Sequence, residues 1–249
     1  MARLRRIEAI HDVRLIAAVE SGSRAWGFES PNSDFDVRFI YARRKSDYIS
    51  LTYQSEHDTI EAIDSDGLDL AGWDIRKALK LAASSNPSIA EWSASPVVYA
   101  GGQFLRTLRG CIYGNCSVET ILKAYHSMAR GNYNKYVKGK DPVPYKRYLY
   151  VLRPLLNVRW ILRTGLIPPV RFSRVSHTTN LRLNEEIATL VAMKRSGEEM
   201  GEGPRLPAID QFIEAAINSF PGERPVFDAK SSSLPIFDDL LSAVLDGHY

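Results

Sequence analysis

The 249-residue sequence predicts an α+β fold. A small mixed-sheet α/β unit is expected over residues 1–100 and a mostly helical unit over 101–249. Three observations carry that expectation. Before residue 100, short apolar runs alternate with turn signals, the pattern of strands in a mixed sheet. After residue 103, apolar residues recur at helical spacing between Pro/Gly-rich breaks. Finally, a Gly-Ser pair, Gly22-Ser23, precedes two aspartates, Asp34 and Asp36, at a spacing that fits strand, turn and strand.

Taken in order, residues 2–10 read as a short helix. Residues 13–19 (VRLIAAV) form a compact apolar run that ends at the Gly-Ser turn, so a buried strand is expected. Glu29 to Ser33 carries turn chemistry, with Pro31 and Asn32 at its centre. Residues 35–42 read as the next strand. Alternation puts Phe35, Val37 and Phe39 on one face and Asp34, Asp36 and Arg38 on the other. Residues 43–58 read as a loop or short helix, and 59–63 as a third strand. Residues 67–71 read as a fourth, with Leu68 and Leu70 inward and Asp69 outward. A helix is expected over 73–83, and another from Asn86-Pro87, with Ser88 and Glu91 at capping-box spacing. Helical periodicity then marks 103–110, 117–138, 145–164, 181–199, 207–219 and 235–246.

Composition narrows the class. Apolar residues make up 45% and charged residues 24%, as in a soluble globular chain. Lys plus Arg number 32 against 29 Asp plus Glu, and a net charge of +3 is too small to argue for nucleic acid. Distribution says more: residues 123–163 are rich in Lys and Arg, with Asp141 as their single acid. That stretch reads either as a solvated helix face or as a face turned to phosphates. Cys111 and Cys116, with no His cluster nearby, read as reduced structural thiols rather than a zinc site. No secretory leader and no membrane-spanning run is read, so a cytoplasmic protein is expected.

The carboxylates carry the chemistry. Two on one strand face and a third on a neighbouring strand make an all-oxygen donor set suited to Mg²⁺ or Mn²⁺. In a two-metal site, ions ~3.5–4 Å apart brace the attacking and leaving oxygens of an in-line displacement. Gly22 permits close backbone approach, and the Ser23 hydroxyl can meet phosphates. For the third acid, Asp69 competes with Asp66, which a turn explains, and with Asp74, which a helix dipole explains. Arg24 and Arg38 read equally as phosphate contacts or as braces for the acids. Lys77 reads as a candidate triphosphate contact from the helix after Asp69. Lys146 and Arg153, two helical turns apart, read as phosphate contacts or as surface charge. The five histidines form no spaced set. Tyr133, Tyr136, Tyr145, Tyr148 and Tyr150 read as packing residues before base-stacking ones.

With these residues in view, the sequence resembles the polymerase-β-like nucleotidyltransferase superfamily. Gly22, Ser23, Asp34 and Asp36 match its G-S … D-x-D pattern, and Asp69 matches its third acid. A closer resemblance is to predicted bacterial nucleotidyltransferases grouped with RNA-repair operons, through Gly-Ser-Arg-Ala-Xaa-Gly and Ser-Asp-Xaa-Asp-Val-Arg. A weaker part of the resemblance runs through residues 70–77, 85–92 and 146–154. It implies a palm-type domain. It also implies attack by a hydroxyl on the α-phosphate of a nucleoside triphosphate, with pyrophosphate leaving. Asp34 and Asp36 would ligate both metals, Asp69 would complete the catalytic one, and Ser23 would hold the outgoing phosphates. An RNA end is the favoured acceptor, with a protein or small-molecule acceptor as alternatives. The rival from another class is a catalytically silent, nucleotide-binding module of the same fold.

Overall fold

A computed structural model of the chain describes residues 1–51, 58–63, 67–197, 200–219 and 234–249. His57, Asp66 and the break at 221–225 lie outside the described residues. The chain divides into two compact units. One comprises Met1–Ala25, Asp34–Ser117 and Lys230–Tyr249, the other Trp26–Ser33 and Val118–Ala229. The α+β expectation holds: a five-stranded mixed sheet comes first, and the rest of the chain is mostly helical.

In the first unit, α1 (Ala2–His11) leads into β1 (Arg14–Glu20), α2 (Gly22–Trp26) and β2 (Phe35–Ala42). Then come α3 (Lys45–Ile49), β3 (Thr59–Ile63), β4 (Leu68–Asp74), α4 (Ile75–Ala83), α5 (Pro87–Ser93), β5 (Val98–Ala100) and α6 (Gly102–Asn115). The sheet order is β3-β4-β2-β1-β5, and β2–β4 is its parallel pair. Leu4 and Ile7 of α1 pack with Ala18, Val37, Phe39, Tyr41, Ile60 and Leu70 in one apolar cluster. Residues 36, 38, 40 and 42 of β2 share the opposite face. There Ile40 and Ala42 are buried, but Asp36 and Arg38 are only half-buried. The polar end of the strand thus runs out past its cover.

Some local readings are corrected. Phe35 does not join Val37 and Phe39 in the core; it is 45% exposed, with the Arg24 guanidinium 3.9 Å from its ring centroid. It sits at the first position of β2, before the core begins. Asp74 is not a first-turn acid but the N-cap of α4, fully buried. The α5 cap is Asn86, whose side chain accepts from the Ser88 backbone N–H, in place of a Ser88–Glu91 box. Asn at the cap followed by Pro at the first helical position is the stronger signal. β5, three residues long, is too short to show a period. Cys111 and Cys116 are buried thiols, as expected.

The second unit contains α7 (Val118–Tyr136), β6 (Val143–Pro144), α8 (Tyr145–Thr164), α9 (Phe172–Val175), α10 (Leu181–Arg195), β7 (Glu202–Gly203) and α11 (Pro207–Ser219). Its core surrounds α8, where every residue from Tyr148 to Val158 except Tyr150 is buried. Pro154 lies inside that helix and cannot donate to the carbonyl four residues back. That carbonyl, on Tyr150, accepts instead from Asn132 Nδ2 on α7 at 3.0 Å. Trp26–Ser33 is bound into the same unit. Phe28 meets Phe172 edge-on, with centroids 5.3 Å apart. Arg195 Nη2 donates to the Gly27 carbonyl at 2.5 Å, and Arg153 lies over the Trp26 ring at 4.1 Å. The last helix, α12 (Leu234–Leu245), belongs to the first unit. Among the described residues, no helix is long and apolar enough to cross a membrane.

Candidate functional site

The parallel pair β2–β4 sets the geometry. Its register places Asp36 directly beside Asp69 and Phe35 beside Leu68. One step earlier, Asp34 comes alongside Gly67, and the Phe35 N–H donates to the Gly67 carbonyl at 3.0 Å. A Cβ added to Gly67 would stand 3.1 Å from Asp34 Oδ1, so the missing side chain leaves room for that carboxylate. Gly67 also has φ +75°, which glycine adopts without strain. Asp34 is exposed and Asp36 and Asp69 are half-buried, so all three reach solvent at one end of the strand pair.

Gly22 closes the site from the β1 side. Its φ is +57°, and a Cβ there would overlap the Asp36 carboxylate. The Ser21 N–H donates to the Asp36 carbonyl at 2.8 Å, which locks the start of α2 to β2. Ser23 is in the first turn of α2 and half-buried. Arg24 Nε donates to the Asp34 carbonyl at 3.3 Å, while its guanidinium covers Phe35.

Arg38 lies against the carboxylates. Its Nη2 lies 2.7 Å from Asp69 Oδ2 and 3.5 Å from Asp36 Oδ1, and its Nη1 donates to the Asp69 carbonyl at 3.2 Å. A guanidinium therefore neutralises the two adjacent carboxylates. Among the described residues, no three Asp, Glu, His or Cys side chains form a metal-binding group. The donor set itself is carboxylate oxygen on adjacent strands, which suits a hard divalent cation.

Two residues not read from the sequence stand behind Asp36. Glu20, at 1% exposure, accepts from the Asp36 N–H at 2.9 Å and from the Tyr99 hydroxyl. Burial pushes the Glu20 carboxyl up, against the lowering effect of those hydrogen bonds. Burial and the neighbouring Glu20 also push the Tyr99 phenol up. An acid at the end of an apolar strand, directly before Ser-Gly-Ser, was the available signal for Glu20. Tyr99 had none, because β5 is too short to read.

Within the first unit, Lys77 has other partners. Lys77 Nζ bonds Asp58 Oδ1 at 2.8 Å and Thr59 Oγ1 at 2.7 Å. Thr59 pairs with Trp73, about 13 Å along β4 from Asp69 at some 3.3 Å per residue. Lys77 is thus not brought to the carboxylates, and it holds Asp58 below the usual carboxylate range. Lys146 and Arg153 belong to the second unit. Lys146 is exposed in the first turn of α8, whereas Arg153 is 6% exposed beneath Trp26, so two-turn spacing did not give them a common environment. Of the five tyrosines, Tyr133 and Tyr148 are buried, as packing predicts. Tyr136 and Tyr150 flank Arg147, whose guanidinium lies 4.1 and 5.8 Å from their ring centroids.

Comparison with known proteins places the chain in a family. Residues 1–243 match the family described as RlaP, RNA repair pathway DNA polymerase beta family. A Bacillus subtilis (strain 168) protein, described as "Uncharacterized protein YcgL", is 42% identical over 220 residues. The match covers 86% of this chain and 82% of that protein.

Proposed function

This chain belongs to the RNA repair pathway DNA polymerase beta family, and on that premise we propose that it is a metal-dependent nucleotidyltransferase. It moves a nucleoside monophosphate from a nucleoside triphosphate to a hydroxyl, releasing pyrophosphate, and the acceptor is an RNA end. The observation that carries this reading is the register of β2 and β4, which seats Asp36 beside Asp69 with Asp34 two residues away on the same face.

Asp34, Asp36 and Asp69 would hold Mg²⁺ or Mn²⁺, which when bound would supply charge neutralisation and lower the pKa of the attacking hydroxyl. The chain's own groups do the positioning. Gly22 lets the α2 backbone lie against Asp36, and Ser23 offers its hydroxyl to the outgoing phosphates. Arg24 fixes the start of β2 through the Asp34 carbonyl. Arg38 holds Asp36 and Asp69 side by side and balances their charge. Phosphoryl chemistry needs little else from a protein but placement and electrostatics.

The test is incubation with each α-labelled triphosphate, Mg²⁺ or Mn²⁺, and RNA, protein and small-molecule acceptors. Label should move to RNA with pyrophosphate release. Asp36→Asn and Asp69→Asn should each lower the rate by more than about 100-fold, beyond the usual loss of an outer-shell partner. Absence of pyrophosphate release with every triphosphate, alongside nucleotide binding indifferent to both changes, would leave the silent module as the correct reading.

A further inference from the structure

The helical unit carries a groove of about 550 Å³ between α7 and α11, where five polar or charged side chains stand around Tyr133 and Ile217. Arg130 and Asn134 stand one turn apart on α7, and Lys138 follows just past its end, so the three make one wall. Glu214 and Asn218, again four apart, make the other on α11. Arg130, Asn134 and Lys138 are exposed, and their side chains have no hydrogen bond or ion pair with any other described residue. Glu214 is held in place by the Tyr133 hydroxyl, which donates to its Oε1 at 3.2 Å.

The chemistry of the two walls differs. Two cations against one carboxylate leave the groove net positive. Arg130 and Lys138 are eight residues apart, on the order of 10 Å along the helix direction, so a single small anion would engage only one of them. A chain of phosphates would engage both. Asn134, Asn218 and Glu214 bring amide and carboxylate oxygens, which accept from hydroxyls. Among polyphosphate chains, RNA presents a hydroxyl donor beside each phosphate, and its 2′-OH is what separates it from DNA.

We propose that this groove binds single-stranded RNA, Arg130 and Lys138 holding phosphates and Asn134, Glu214 and Asn218 taking ribose 2′-hydroxyls. The inference rests on the reading of RNA as acceptor, and it gives that acceptor a second point of attachment within the helical unit. The test is fluorescence anisotropy of a labelled single-stranded RNA titrated with the full chain, without triphosphate or metal. Arg130→Ala/Lys138→Ala should weaken binding at least about tenfold and flatten the salt dependence by roughly 1.4, two phosphate contacts at about 0.7 each. Arg5→Ala/Arg6→Ala removes the same charge from the exposed side of α1 and should leave binding unchanged. A DNA strand of the same sequence should bind more weakly than RNA, and Asn218→Ala should narrow that gap.

Binding by the groove variant within twofold of wild type, or an equal loss in the α1 variant, overturns the proposal. Equal affinity for DNA and RNA overturns the ribose assignment. The outcome is separable from that of the transfer assay. RNA titrations that succeed without pyrophosphate release leave the groove without the enzyme. Pyrophosphate release without groove-dependent binding leaves the enzyme without the groove.

Discussion

Asp74 shows how one side chain can serve two elements at once. Fully buried, it accepts from the Arg76 N–H at 2.8 Å to cap α4 and from the Tyr48 hydroxyl at 2.8 Å to tie down α3. Asp74→Ala should cost about 2 kcal/mol, a lost cap plus an orphaned phenol, read by urea unfolding. Burial raises the Asp74 carboxyl above its ordinary value. A raised acid favours its protonated form in the folded state, so its contribution is full below the unfolded value near 4 and declines as pH rises through the folded one. Asp74→Asn has no such decline. Its Tm relative to wild type should therefore improve as pH climbs from about 4 towards neutrality; a gap constant with pH would contradict the assignment. At the site, Gly22→Ala adds a Cβ that overlaps the Asp36 carboxylate, at a φ that costs an alanine about 1 kcal/mol or more. Activity should fall well beyond what that loss of stability explains, measured as turnover at a temperature where the variant is folded. The spacing of Gly22, Asp34 and Asp36 was legible in the residues, because alternation along a strand needs no tertiary information. The bridging position of Arg38 was left between two readings, since only the β2–β4 register decides whether a guanidinium meets Asp69.

Elements were readable where their periodicity was long. α8 at Tyr145–Thr164 and α11 at Pro207–Ser219 have the bounds their apolar spacing predicts. β5 and the two-residue pair β6–β7 were invisible because a strand of two or three residues has no period, and only its partner defines it. The interior of α8 shows a different limit. Pro154 in mid-helix would ordinarily argue for a break. The helix continues because α7 supplies Asn132 to the carbonyl that the proline leaves bare. Asn132→Ala should then cost roughly 1–2 kcal/mol, more than an exposed Asn→Ala elsewhere on α7, by comparison of denaturation midpoints. In the sheet, Phe39 lies over Gly72 across the parallel pair, where a Cβ would collide with its ring. Gly72→Ala should destabilise by about 1–3 kcal/mol through overpacking, and Phe39→Leu on the same background should return part of it.

At the scale of the whole molecule, sequence order and spatial membership part company. α12 is more than a hundred residues downstream of the sheet, yet it buries Phe237, Leu240 and Val244 within the first unit. Helical periodicity announces such a helix but not its address. Removing residues 230–249 should lower unfolding free energy by on the order of 5 kcal/mol, three buried apolar side chains at about 1.5–3 kcal/mol each, measured by denaturant titration. The opposite exchange occurs at Trp26–Ser33, which is built into the helical unit while its covalent neighbours Ala25 and Asp34 remain with the sheet. This arrangement bears on any attempt to dissect the protein genetically. A recombinant fragment stopping near residue 117 would keep every proposed cation ligand but strand a Trp26- and Phe28-bearing loop without its host. Such a truncated product should clump or be clipped by proteases at that loop, and its inactivity would say nothing about the aspartates themselves.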